Sequence, residues 1–315
     1  MKLPKGGLIL IPQIREKIER VLEKLSLRPE IAPKEFLKIH KNKKHRYASP
    51  CLTKDGEKVI FFARIHFNLD AKSKFKNEIR FLKQAENLKL SFKIPRLLDY
   101  GIEKDFEWLV RECPEGKTLL EEGVLSKKVV KAISEISQIK KELFFCLKKF
   151  KVKRYFNFKL RKNLLKNGLI SKDLSKKLEI LVKKNFSLLT NEGKYICHGD
   201  LGPRNILISK KTPWIIDWET VHLNNFAFDI AYLWVWFWKE KKKRDFLIRE
   251  YLKNSTSKKR EIFKKIFPVV VSYLCQRDIR FQKGWESKED FEKRKKYLIL
   301  FLEKCVEDFE SLVSC

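Results

Sequence analysis

"KYICHGDLGPRNILISKKTPWIIDWET", from Lys194 to Thr220, sets two short apolar runs around a turn and surrounds them with His198, Asp200, Asn205, Asp217 and Glu219. If Ile206 to Ile208 and Trp214 to Ile216 are strands joined by the five residues "SKKTP", the simplest antiparallel register pairs Ile206 with Ile216 and Ile208 with Trp214. That register sets Asn205 opposite Asp217. Directly opposed residues carry Cβ atoms about 4.5 to 5.5 Å apart, so an amide oxygen and a carboxylate converge at the open end of the hairpin. Such oxygens suit a hard cation such as Mg²⁺. Asp200, five residues before Asn205 across a loop held by Pro203, folds back toward the same end and is free to act as a base.

The arrangement resembles the protein-kinase-like phosphotransferases, whose catalytic loop carries His-x-Asp-x-x-x-x-Asn and is followed by a metal-binding Asp after a short strand. The specific likeness is to the aminoglycoside phosphotransferase and choline kinase family, which writes the loop as HGDxxxxN and the metal motif as IDWE. "HGDLGPRN" and "IIDWE" match at every defining position. The resemblance implies that Asp200 is the catalytic base toward an acceptor hydroxyl, that His198 props up the loop, and that Asn205 and Asp217 hold Mg²⁺. "FAFDIAYL" resembles the helix start that follows the metal motif in this family, where Asp229 supports the catalytic loop; an ordinary helix cap is the other reading of that Asp.

Working outward toward the N-terminus, "RYASPCLT", Asp55-Gly56 and "KVIFFARIHF" read as a hairpin, because Asp-Gly supplies the positive φ of a tight turn. Strand alternation puts Ile60, Phe62 and Arg64 on one face, so the Arg64 charge emerges beside apolar groups and needs a partner. In "DAKSKFKNEIRFLKQAENL", Asp70 is a candidate N-cap, and Phe75, Ile79 and Leu82 form an apolar stripe. Glu78 lies on that same side of the helix. Kinases pair a strand lysine, which holds the nucleotide phosphates, with a helix glutamate. Arg64 and Glu78 fit that pair, with Arg standing where the family normally has Lys, and Lys58 on the same strand face is the fallback.

The resemblance further implies that the backbone of Glu112 and Cys113, in the lobe connection "LVRECPEGKTL", meets an adenine ring. It also makes Ala48, Ser49 and neighbouring amides of the glycine-free "KKHRYASPCL" the phosphate cover. "EGKT" at Glu115 to Thr118 is not a phosphate-binding P-loop, because Arg111 stands where that motif needs a Gly. The aromatic run "YLWVWFW" reads as buried helix rather than as a cage for a quaternary ammonium. His40, His45, His66 and His222 show no metal-ligand spacing.

The expected fold is α+β, two-lobed and protein-kinase-like, with the nucleotide in the cleft. Residues 1–112 form a strand-rich lobe and residues 113–315 a helical one. Helices are expected over Pro12 to Leu25, Ser126 to Phe150, Ser171 to Leu189, Phe228 to Trp238, Lys241 to Lys253, Lys258 to Arg280 and Ser287 to Val313. Strands are expected in "IPRLLDYG" and "EWLVREC".

The 315 residues, 43% of them hydrophobic, are enough for a sizeable core. Basic residues number 71 against 40 acidic ones, a net charge of +31, but they are scattered from end to end and read as a solvated surface. A nucleic-acid-binding reading rests on that charge alone, so nucleic acid is not the expected partner. Seven cysteines without a Cys-x-x-Cys pair speak for a reducing compartment. No run is long enough for a signal peptide or a membrane span, so the chain is expected to be cytoplasmic.

The expected activity is transfer of the γ-phosphoryl group of ATP, assisted by Mg²⁺, to a hydroxyl of a small molecule, neutral or anionic rather than polycationic. A protein substrate is disfavoured. Gly199 replaces the Arg that clamps a phosphorylated activation segment, and eleven residues between Asp217 and Asp229 are too few for one. The alternative is a catalytically weak or inactive kinase-like nucleotide-binding module.

Overall fold

The computed structural model describes residues 10–35, 46–65, 75–103, 106–139, 141–144, 147–156, 158–209, 212–280 and 286–315. Asp70, His40, His45 and His66 lie outside the described residues. The chain divides into two compact units, one of residues 1–88 and 94–115, the other of residues 89–93 and 116–315.

The first unit is an antiparallel sheet with a helix on each face. Its strands are β1 (Arg28–Pro29), β2 (Arg46–Leu52), β3 (Lys58–Ile65), β4 (Leu97–Ile102) and β5 (Phe106–Glu112), in the order β1-β2-β3-β5-β4. The β2–β3 turn closes at Gly56, whose φ of 80° is the left-handed conformation predicted for Asp-Gly. Alternation along β3 sends Val59, Phe61 and Ala63 to one face, where they pack with Phe106, Trp108 and Val110 of β5. Helix α1 (Leu10–Lys24) covers that face with Ile18 and Leu22, one turn apart on its apolar stripe. Phe62 of β3 and Leu109 of β5 point the other way and meet Phe75 and Ile79 of helix α2 (Phe75–Ala85).

The second unit is mostly helical. Its helices are α3 (Leu119–Glu122), α4 (Lys127–Ile136), α5 (Phe158–Lys166), α6 (Lys172–Lys184), α7 (Phe186–Asn191), α8 (Phe228–Trp236), α9 (Lys241–Lys253), α10 (Ser257–Asp278), α11 (Lys288–Cys305) and α12 (Phe309–Ser314). Side-chain caps set several boundaries: Ser126, Ser171, Thr256, Ser287 and Asp308 each accept a backbone N–H of the first turn that follows. Helix α8 is apolar on all sides and is buried from Phe228 to Val235, where it packs against α10. Trp234 of α8 rests on Phe301 and Phe267, with ring centroids 4.6 and 5.7 Å away.

Two small sheets interrupt these helices. One pairs β7 (Tyr195–Cys197) with β10 (His222–Asn224); the other has β6 (Lys117–Thr118), β8 (Ile206–Ile208) and β9 (Trp214–Ile215) in the order β6-β8-β9. Lys93 lies alongside β9, donating its N–H to the Pro213 carbonyl and accepting the Ile215 N–H, both at 2.9 Å. Among the described residues, no helix is long and apolar enough to cross a membrane.

Three expected helices are interrupted, the one over Ser171 to Leu189 at Asn185, between α6 and α7. The one expected to run from Ser126 to Phe150 ends at Ile136, where the Ser134 and Ser137 hydroxyls donate back to the carbonyls of Val130 and Ser134. The C-terminal helix stops at Cys305, and Asp308 starts a new one by accepting the Ser311 N–H at 2.7 Å.

Candidate active site

The loop from His198 to Asn205 leaves β7 and enters β8, so each end is anchored in a sheet of the second unit. Gly199 sits at φ 87°, and a Cβ there would lie 2.6 Å from the Thr220 carbonyl oxygen and 2.8 Å from the His222 ring. Only glycine fits this close, left-handed position. The Thr220 hydroxyl donates to the His198 carbonyl at 2.8 Å.

His198 is fully buried. Its Nε2 lies 2.8 Å from the Ile216 carbonyl, and its Nδ1 accepts the Asp200 N–H at 3.3 Å. Those partners require a neutral ring protonated on Nε2. Burial pushes the imidazole below its ordinary 6.5, against the opposing pull of the Asp229 carboxylate. The ring thus ties the turn at Asp200 to the residue before Asp217. Trp218 backs it, with ring centroids 4.6 Å apart and the indole N–H donating to the Ile215 carbonyl at 2.9 Å.

Asp229, in the first turn of α8, accepts the N–H of His198 on Oδ2 at 2.8 Å and the N–H of Gly199 on Oδ1 at 3.0 Å. Burial raises this carboxyl above its ordinary 3.8, opposed by His198 and by the two amide bonds. Between the two sequence readings of Asp229, the contacts select the one that supports the loop.

Asn205 donates its side-chain amide to the Asp200 carbonyl at 2.8 Å, which turns the amide oxygen away from that contact. The register beyond it differs from expectation by one residue. Ile206 pairs with Ile215 and Leu207 with Trp214, and the Ile216 N–H donates to the Asn205 carbonyl at 3.0 Å, so Asn205 faces Ile216 rather than Asp217. The cause is a shorter turn: Ser209 Oγ accepts the Thr212 N–H at 3.1 Å and donates to the Thr212 carbonyl at 2.5 Å. Asp217 then leaves the ladder in the left-handed conformation, at φ 67° and ψ 62°, a shape that Asp tolerates better than most side chains.

Among the described residues no group of three or more His, Cys, Asp or Glu side chains gathers as a cation site. A divalent ion here would be held by the Asp217 carboxylate and the Asn205 amide oxygen. Both are hard oxygen donors, and two protein ligands completed by phosphate oxygens and water are characteristic of Mg²⁺ sites.

Sequence reasoning missed Tyr232. From the α8 turn after Asp229 its phenol donates to Asp200 Oδ1. The run "YLWVWFW" hid it, because apolar periodicity marks burial and not where a single hydroxyl points.

In the first unit, Arg64, Glu78, Glu107 and Arg111 are all buried on the α2 face of the sheet. The β3–β5 register sets Arg64 opposite Glu107, with Arg64 Nη1 3.8 Å from Glu107 Oε1. Arg111 Nη1 donates to Glu78 Oε1 at 2.5 Å. Glu78 therefore has Arg111 as a partner that sequence reasoning did not foresee, in a cluster of two arginines and two glutamates. Each guanidinium also lies over an aromatic ring, Arg64 over Phe75 at 4.8 Å and Arg111 over Phe62 at 4.6 Å. Lys58, the fallback, forms an exposed ion pair with Glu30 at 2.7 Å.

Ser49 stands in the middle of β2 and not in a loop. It is fully buried, its hydroxyl accepting the Ile31 N–H at 3.1 Å and donating to the Pro50 carbonyl at 2.8 Å. The Ser49 hydroxyl is thus engaged within the fold, at a position where the expected phosphate cover was Ala48, Ser49 and the neighbouring backbone amides. Glu112 closes β5 with its N–H on the Arg96 carbonyl at 2.9 Å and its carboxylate accepting the Arg96 N–H at 3.2 Å. Cys113 follows, half-buried, with a thiol that burial pushes up.

Residues 52–255 match the sequence profile of the phosphotransferase enzyme family, APH. No curated protein matches the chain. Among solved structures, the chain is similar to the amicoumacin kinase hAmiN in complex with AMP-PNP, Ca²⁺ and Ami, with TM-score 0.60 and 13% identity over 93% of this chain and 95% of that one. It is also similar to APH(2")-IIa in its gentamicin complex, with TM-score 0.54 and 15% identity over 95% and 97% of the two chains. The choline kinase LicA from Streptococcus pneumoniae gives TM-score 0.54 and 15% identity over 91% and 99%. At these identities the likeness shows a shared kinase-like fold.

Proposed function

Because the chain belongs to the phosphotransferase enzyme family, we propose that it transfers the γ-phosphoryl group of ATP, with Mg²⁺, to a hydroxyl of a small neutral or anionic molecule. The observation that carries this reading is the loop of His198, Asp200 and Asn205 held on Asp229. These groups are locked by buried and half-buried hydrogen bonds that involve both the backbone and the side chains of the motif.

Asp200 orients the acceptor hydroxyl and takes its proton as the new O–P bond forms. The bond from the γ-phosphorus to the bridging oxygen breaks, and ADP leaves with that electron pair. Asn205 and Asp217 hold the divalent ion, which when bound offsets the negative charge of the phosphates. His198 does no proton chemistry; its neutral ring keeps Asp200 and the Ile216–Asp217 segment in register. Arg64 and the backbone of Glu112 and Cys113 contact the nucleotide, with Glu78 ordering the charges around Arg64. The free thiols of the described cysteines fit a reducing, cytoplasmic setting.

One observation favours a second reading, a nucleotide-binding module with little turnover: Arg64 stands in place of Lys and its charge is engaged by Glu107. Calorimetric nucleotide binding measured beside γ-phosphate consumption separates the two. On the favoured reading Asp200→Asn abolishes consumption while nucleotide affinity stays within a few-fold, and Asp217→Ala loses Mg²⁺-dependent binding. Equal loss of nucleotide binding in both variants would remove the division of roles. Binding without consumption in the wild type, across a panel of hydroxyl compounds, would select the module.

A further inference from the structure

We infer that Tyr232 is a positioning residue for Asp200, and that Arg277 is the clamp that holds Tyr232 in place. The inference rests on the reading of Asp200 as the base.

Tyr232 lies on α8 one turn beyond Asp229, so the helix that anchors the loop backbone also reaches the loop's reactive carboxylate. Its hydroxyl donates to Asp200 Oδ1. The ring is buried, and burial keeps the phenol above its ordinary 10.0. It therefore holds its proton at any working pH and can only donate to the carboxylate. A donor fixed on one oxygen limits rotation of the carboxylate, so the acceptor hydroxyl meets a base already aligned. Alignment of that kind acts on the reaction step rather than on nucleotide affinity.

The Tyr232 ring is itself held. The Arg277 guanidinium of α10 lies over it, 5.0 Å from the centroid, and Arg277 Nε donates to Asp278 Oδ1 at 2.7 Å. Asp278, Arg277, Tyr232 and Asp200 thus form one chain of contacts, within the second unit, from α10 through α8 to the catalytic loop. No proton moves along it: the guanidinium and the phenol stay protonated, and the acceptor's proton goes to Asp200.

The test is hydrolysis of MgATP, with water as the acceptor. Tyr232→Phe keeps the ring under Arg277 and removes only the hydroxyl. It should lower kcat about tenfold, the scale of one hydrogen bond to a charged group, and leave the KM for MgATP within about twofold. Arg277→Met should lower kcat about threefold in the same kcat-only manner, a fraction of the hydroxyl's own effect.

A second probe is independent of turnover and of any truncation. With 3-fluorotyrosine at position 232, the ¹⁹F resonance should shift when Asp200 becomes Asn. An unmoved resonance would overturn the contact. Wild-type hydrolysis with unchanged kcat in Tyr232→Phe would overturn the inference alone. Absence of MgATP consumption by the wild type with every acceptor tried would remove the proposed function and the inference together.

Discussion

Asp229 receives two backbone N–H groups on two carboxylate oxygens, and an amide in its place has one oxygen for both. Asp229→Asn would set an NH₂ against a buried N–H, a mismatch worth about 1–3 kcal/mol. Urea unfolding should show a loss of that size, and MgATP turnover should fall with it, because the unpaired amide belongs to the loop that carries Asp200. His198 offers a pH test. Its imidazole is held below its ordinary 6.5 by burial, so the folded protein should keep it neutral and Nε2-protonated as the pH is lowered through 6.5. Long-range ¹H–¹⁵N NMR checks this by comparing His198 with a solvent-exposed imidazole. In the first unit, Arg111→Ala removes a buried cation that is bonded to the Glu78 carboxylate. Removing one partner of a buried pair costs about 3–5 kcal/mol, so denaturant unfolding should place this variant well below Lys58→Ala, whose ion pair is exposed. Sequence placed Glu78 on the inward side of its helix correctly, but the choice of Arg111 as a partner needed the β3–β5 register, which no local pattern carries.

At the scale of elements, the loop from His198 to Asn205 depends on how closely β7 and β10 approach. The Thr220 carbonyl and the His222 ring crowd the Gly199 position, which also has positive φ. Gly199→Ala therefore combines a left-handed alanine with contacts under 3 Å, and a loss of at least about 2 kcal/mol is expected. Thermal unfolding measures it, and a variant as stable as the wild type would mean that the loop has room to shift. The β8–β9 hairpin shows where pattern reading stops. Alternation located both strands within a residue, yet it could not count the turn, because Ser209 shortens the loop through side-chain bonds to Thr212. One residue of register decided which backbone group faces Asn205. Two of the three helix interruptions have the same origin: serine hydroxyls after Val130 and a capping Asp308 compete locally with continuation of the helix.

Over the whole molecule the net charge of +31 sets a long-range field that repels polycations, while salt screens it beyond about 8 Å at physiological ionic strength. Turnover of kanamycin-like compounds should therefore lie below that of neutral or anionic hydroxyl compounds at low salt, and added salt should narrow the gap. Steady-state kinetics at two salt concentrations check this, and efficient aminoglycoside turnover at low salt would show that local pocket charge outweighs the global field. Sequence alone determined the family and the members of the loop, because "HGDLGPRN" and "IIDWE" lie within one short stretch whose spacing is covalent. It also determined the faces of β3 and α2, because side-chain direction follows from backbone period. Only the tertiary structure decided the partners: Arg111 for Glu78, the phenol of Tyr232 for Asp200, and Ile216 rather than Asp217 opposite Asn205. Those pairings join segments far apart in the chain or turn on a single loop closure, and packing and register select among chemically equivalent partners only once the chain has folded.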